Sequence, residues 1–183
     1  MASDNTSPTW RVALFVFVVS SIFWLGGANV RALIGNQMLK FGTLEFDEFL
    51  TPDAEREMFR LLSLTSITVI GSYLAALASS IAFLVLCPFK VREHGWLLMS
   101  AILFYLFVPV EAFLIYLDGK MMYMEFFTTA DNKIFRELFL ARVGALQGVP
   151  VIATLCYYTI VVLAVFQPLK KQKHVGNETR TDA

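Results

Sequence analysis

The sequence predicts an all-α integral membrane protein: a four-transmembrane-helix, up-down-up-down bundle with helices extended into the two outer links. Three observations point there. Hydrophobic residues make up 57% of the 183 residues and charged residues only 16%, where a soluble domain has roughly 45–50% and 25%. Mean hydropathy is +0.62. Four apolar runs are each long enough to cross a bilayer core, which takes roughly 20 residues at a rise of about 1.5 Å. One core in a chain of this length cannot hide that much apolar surface, so hydrocarbon must solvate it.

The spans are Val12 to Val30, Ile67 to Leu86, Trp96 to Leu117 and Val149 to Phe166. They divide the chain into a short N-terminal segment (1–10), a transmembrane domain (11–168) and a basic tail (169–183). Backbone amides find no water in hydrocarbon, so each run should be a helix. Trp10 and Trp96 stand where amphipathic rings meet headgroups. The first run could instead be the apolar region of a cleaved signal peptide, with Gly26-Gly27-Ala28 as its small-residue site. Arg11 is the one positive charge before it, which favours the span.

The first outer link leads into span two through Thr51-Pro52-Asp53, a helix start with a cap, a proline and an acid. Met58, Leu61, Leu62 and Thr65 continue a helical stripe from there. In the second link, Thr128 and Asp131 suggest a capping box, followed by Ile134, Phe135, Leu138 and Phe139. Spans two and four are therefore expected to be the inner parts of longer helices, with Pro150 kinking the fourth. Span one should continue toward Lys40 and span three toward Phe126. Residues 57–64 align with residues 133–140 at four identical positions. Duplication of a two-helix unit would explain that, as would two amphipathic helices entering a membrane.

On span two, Gly71, Ala75 and Ser79 form one small-residue row, and Ser72, Ala76 and Ser80 form the next. Such rows let helices approach closely, inside the bundle or against a membrane-protein partner or second copy. Basic residues place both termini in the cytoplasm: Lys90 and Arg92 in the short link, Lys170, Lys171, Lys173 and Arg180 in the tail. The outer links lean acidic, although Arg31 and Arg142 sit on that side. The membrane is then a plasma or bacterial cytoplasmic membrane. Asn5-Thr6-Ser7 and Asn177-Glu178-Thr179 match a glycosylation pattern but fall on the cytoplasmic side.

Net charge is zero, 15 basic against 15 acidic residues, which leaves no electrostatic footprint for nucleic acid. His94 and His174 lie at or beyond the cytoplasmic boundary, so no paired-histidine haem site is expected. Metal-ligand, phosphate-loop and nucleophile motifs are missing from the sequence, and no cofactor or catalytic residue is assigned. Cys87 and Cys156 differ too much in depth for a disulfide. Cys87 is a juxtamembrane thiol of the kind that accepts palmitate, or an inert buried one.

The positive signal is polar residues at one depth. Glu111 lies about 24 Å along its span and Arg31 about 30 Å along the first. Asn29, Thr68 and Gln147 reach similar heights on helices one, two and four. An ionised acid at that depth must be paired or wetted, and Arg31 is its most economical partner. Two roles follow: a buried ion pair that fixes helix register, or a polar pocket for a small ligand, lipid headgroup or proton. The leading functional expectation is a non-enzymatic accessory or interaction subunit. The alternative is a small carrier or ligand-binding protein working through Glu111, and a lipid enzyme ranks third.

Overall fold

The computed structural model describes residues 9–40, 42–88, 91, 94–128, 131–144 and 148–168. Both glycosylation-type triplets, Lys90, Arg92, Gln147 and the basic tail lie outside the described residues. Among the described residues, 85% are helical and none lies in a strand. Six helices follow in order: α1 (Thr9–Asn36), α2 (Pro52–Leu86), α3 (Gly95–Leu106), α4 (Val108–Phe127), α5 (Asn132–Val143) and α6 (Val149–Phe166). Four rods are long and apolar enough to cross a membrane: α1, α2, α3 with α4 as one stretch, and α6.

Local chemistry sets most boundaries. The Thr51 hydroxyl accepts the Ala54 N–H at 3.3 Å, and Pro52 occupies the first turn, where its missing N–H costs nothing. From there α2 runs unbroken for 35 residues. Pro109 stands in the first turn of α4 and separates it from α3 at Phe107. The second link departs from expectation. Thr128 closes α4 by donating to the Met124 carbonyl at 2.8 Å, and Asp131 precedes α5 without a side-chain cap bond. Thr128 and Asp131 therefore form no capping box. Nor is α6 the inner part of a longer helix. Gly148 adopts φ +90°, open to glycine because it lacks a Cβ, and Pro150 begins α6 rather than kinking it.

Two cores stack along the bundle. In the membrane half, Trp24, Val69, Tyr73, Phe104, Phe107, Ala153 and Tyr157 form an aromatic layer between the rods. At the end carrying α5, called the crown here, Met38, Phe59, Leu62, Met121, Phe135 and Phe139 form the second. Phe59 and Phe135 stack at 5.4 Å; they occupy matching positions of the two aligned segments. Ion pairs staple the crown: Arg136 to Glu55 at 2.5 and 2.7 Å, and Arg56 to Glu125 at 2.9 Å. Bonding to Glu55 pushes the Arg136 guanidinium above its already high ordinary pKa. The rods turn Phe15, Ile22, Val151, Val161 and Val165 outward, as a hydrocarbon-solvated surface requires.

The small-residue rows on α2 are divided. Ala76, Ser79 and Ser80 are buried, whereas Gly71 faces open space. The tightest approach is at Gly27 on α1, where a Cβ would come within 2.8 Å of the Val69 side chain. Gly27→Leu should therefore destabilise the protein by about 1–3 kcal/mol through overpacking. Gly71→Leu should stay within about 0.5 kcal/mol. Thermal unfolding of both variants in mild detergent checks the contrast.

Candidate functional site: a charged cavity at the crown end

Between the rods, on the crown side of the aromatic layer, lies a partly open cavity of about 290 Å³. Each wall comes from a different helix. Arg31 enters from α1, Tyr73 from α2, Glu111 and Asp118 from α4, Arg142 from α5 and Tyr157 from α6. Glu111 and Asp118 are seven residues apart, two helical turns, so they share one face of α4.

Arg31 is not paired with Glu111, contrary to expectation. Its guanidinium grips Asp118 with two parallel bonds, Nη1 to Oδ2 and Nη2 to Oδ1, both 2.6 Å. Arg142 Nε donates to the same Oδ1 at 2.6 Å. The planar guanidinium matches the two Asp118 oxygens as a bidentate pair, while Glu111 is engaged by Tyr157 instead. Arg31 and Asp118 side chains are each 3% exposed and Arg142 is 25% exposed. One carboxylate thus holds two guanidinium groups, leaving a net positive charge. Glu111 lies within electrostatic reach of Arg142 and Asp118 and accepts the Tyr157 hydroxyl at 3.1 Å.

Two residues that line this cavity each carry a buried donor without a partner: Arg31 Nε and the Tyr73 hydroxyl. A donor without an acceptor in a water-poor site costs about 1–3 kcal/mol. Across the aromatic layer is a second cavity of about 250 Å³, walled by apolar groups such as Leu14, Phe17, Phe83 and Ile160. Among the residues lining the two cavities, the charged ones are confined to the first.

The other expected site residues scatter. Asn29 is exposed, and its side-chain N–H donates to the Tyr158 hydroxyl at 2.5 Å. Thr68 is exposed and does not line the cavity; its carbonyl accepts Ser72 Oγ at 2.5 Å. Cys87 is a free, half-buried thiol at the end of α2, and Cys156 is also free. Among the described residues no group of three His, Cys, Asp or Glu could hold a metal ion. Sequence reasoning missed Asp118, Tyr73 and Tyr157, and it noted Arg142 only as a misplaced charge. The spacing of Glu111 and Asp118 was the available signal.

Removing the shared carboxylate should be costly. Asp118→Asn leaves two guanidinium groups facing each other in burial and should lose about 3–5 kcal/mol. Arg142→Gln, at the wetter edge, should lose clearly less. Unfolding of both variants in detergent measures the difference. A scan against protein-family models, curated proteins and solved structures gives no match for this chain.

Proposed function

We propose that this is a non-enzymatic multi-pass protein of a plasma or bacterial cytoplasmic membrane that binds a small polar ligand or lipid headgroup, as a carrier or ligand-binding component. In this reading the rods thread up, down, up and down, with both termini in the cytoplasm and the crown outside. The observation that carries it is the cavity itself. Four charged side chains line this one partly open space, as do Arg31 and Tyr73 with their unpartnered donors, and binding sites are concave, mostly apolar and marked by a few convergent polar groups. A purely structural ion pair would pack dry, with its nitrogens satisfied.

A second reading, an accessory or interaction subunit bound to a membrane-protein partner or a second copy, is favoured by Gly71. That glycine opens outward from α2 with nothing within 4 Å, a surface to which another helix could come close. A monomer that captures nothing in crosslinked membranes would remove it.

Ala28 lines the cavity from α1, so Ala28→Phe should fill part of the space. Native mass spectrometry of the gently delipidated protein should show a retained small molecule, and Ala28→Phe should release it without loss of helicity. Wild-type protein carrying no added mass, or a variant retaining the same mass, would contradict the ligand-binding reading.

A further inference from the structure

We infer that the ligand is an anionic single-chain amphiphile, with its head oxygens on Arg31 and Tyr73 and its chain leaving into the bilayer between α1 and α6. This rests on the ligand-binding reading and adds the ligand class and the route. The head follows from donor chemistry. Arg31 and Tyr73 line the cavity, and Arg31 Nε and the Tyr73 hydroxyl are buried there without an acceptor, on residues only 4% and 3% exposed. An ammonium group could satisfy neither, whereas carboxylate or phosphate oxygens satisfy both. Arg31, Arg142 and Asp118 sum to one positive charge, which an ionised Glu111, the remaining charged residue lining the cavity, brings to zero; the site is net positive toward an oxyanion only when Glu111 is neutral. An incoming oxyanion would take over the balancing role of the Glu111 carboxylate.

The route follows from packing. Backbones pack closely between α1 and α2 and between α3 and α6, whereas α1 and α6 barely approach each other. Both nevertheless wall the cavity, through Leu25, Ala28 and Ala32 on one side and Pro150, Val151 and Thr154 on the other. None of these six carries a charge, so the seam suits methylene groups. The Asn29–Tyr158 hydrogen bond and the Trp24–Tyr157 ring contact tie the two helices to each other. About 290 Å³ lies at the small end of ligand pockets, room for a head and one chain rather than two.

Trp24 lines the cavity at 4% exposure, shielded from bulk lipid. With Trp10 and Trp96 changed to Phe, its fluorescence reports occupancy in neutral phosphatidylcholine nanodiscs. Dibromostearate should quench it saturably. Stearate should displace the quencher if the preferred head is a carboxylate, and lysophosphatidate should do so better if it is a phosphate; stearylamine should do neither. Tyr73→Phe should weaken binding about fivefold without lowering the melting temperature, since the lost hydroxyl has no partner in the protein. Glu111→Gln should strengthen binding severalfold by removing the competing charge. A bis-maleimide bridge between N29C and Y158C, with both native cysteines replaced by Ser, should slow filling at least tenfold. Displacement by stearylamine as effective as by stearate, an unchanged Tyr73→Phe affinity, or unchanged filling of the bridged protein would overturn this inference. So would quenching no greater than in Ala28→Phe. The mass retained by wild type and lost from Ala28→Phe is read independently, so the cavity reading can survive when the amphiphile does not.

Discussion

Everything at the crown end depends on one constraint: charges carried into an apolar bundle must satisfy one another. Taking an ion out of water costs several kcal/mol even after the protein relaxes, and only well-formed partners offset it. Asp118 meets that demand by accepting Arg31 from α1 and Arg142 from α5 while it stands on α4. Three helices are thereby joined at one carboxylate. Because α1 reaches both cores, through Trp24 in one and Ile34 in the other, and α5 packs in the crown, this contact lies where the two cores meet.

The surroundings keep this cluster from becoming an ordinary packed interior. Below it, Trp24, Tyr73, Phe104 and Tyr157 meet ring against ring, with Trp24 and Tyr157 centroids 4.6 Å apart. Such layers are stiff and dry, and edge-to-face contacts add about 0.5–1.5 kcal/mol each beyond burial. Above it, Phe59, Phe135 and Phe139 hold the crown together, with Arg56 over the Phe135 ring at 4.7 Å. Between two rigid layers, a space lined by charges and unpartnered donors persists because neither layer can collapse into it.

The four rods were legible because hydropathy is a one-dimensional property, and span length follows from bilayer thickness. The charged site was legible only in part. Counting residues along a helix gives depth but not the direction a side chain takes around the helix. Arg31 and Glu111 do reach one cavity, yet depth alone made them partners, while Asp118 looked like the end of a span. Its position two turns beyond Glu111 held the missing information. Thr68 shows the same limit, since it has the expected height and faces outward. Gly71 formed the more regular motif, but close approach occurs at Gly27, opposite Val69, a fact about two helices that neither run contains. The start of α6 follows a positive φ at Gly148, where glycine permits the turn without announcing it.

The central claim, that Asp118 rather than Glu111 answers the Arg31 charge, is tested most directly by double-mutant cycles on detergent-solubilised protein. Arg31→Met is combined with Asp118→Leu in one cycle and with Glu111→Gln in the other, and unfolding free energies are compared. The structure predicts a coupling above about 1.5 kcal/mol for the Asp118 cycle and a clearly smaller one for Glu111. The reverse order would contradict the account.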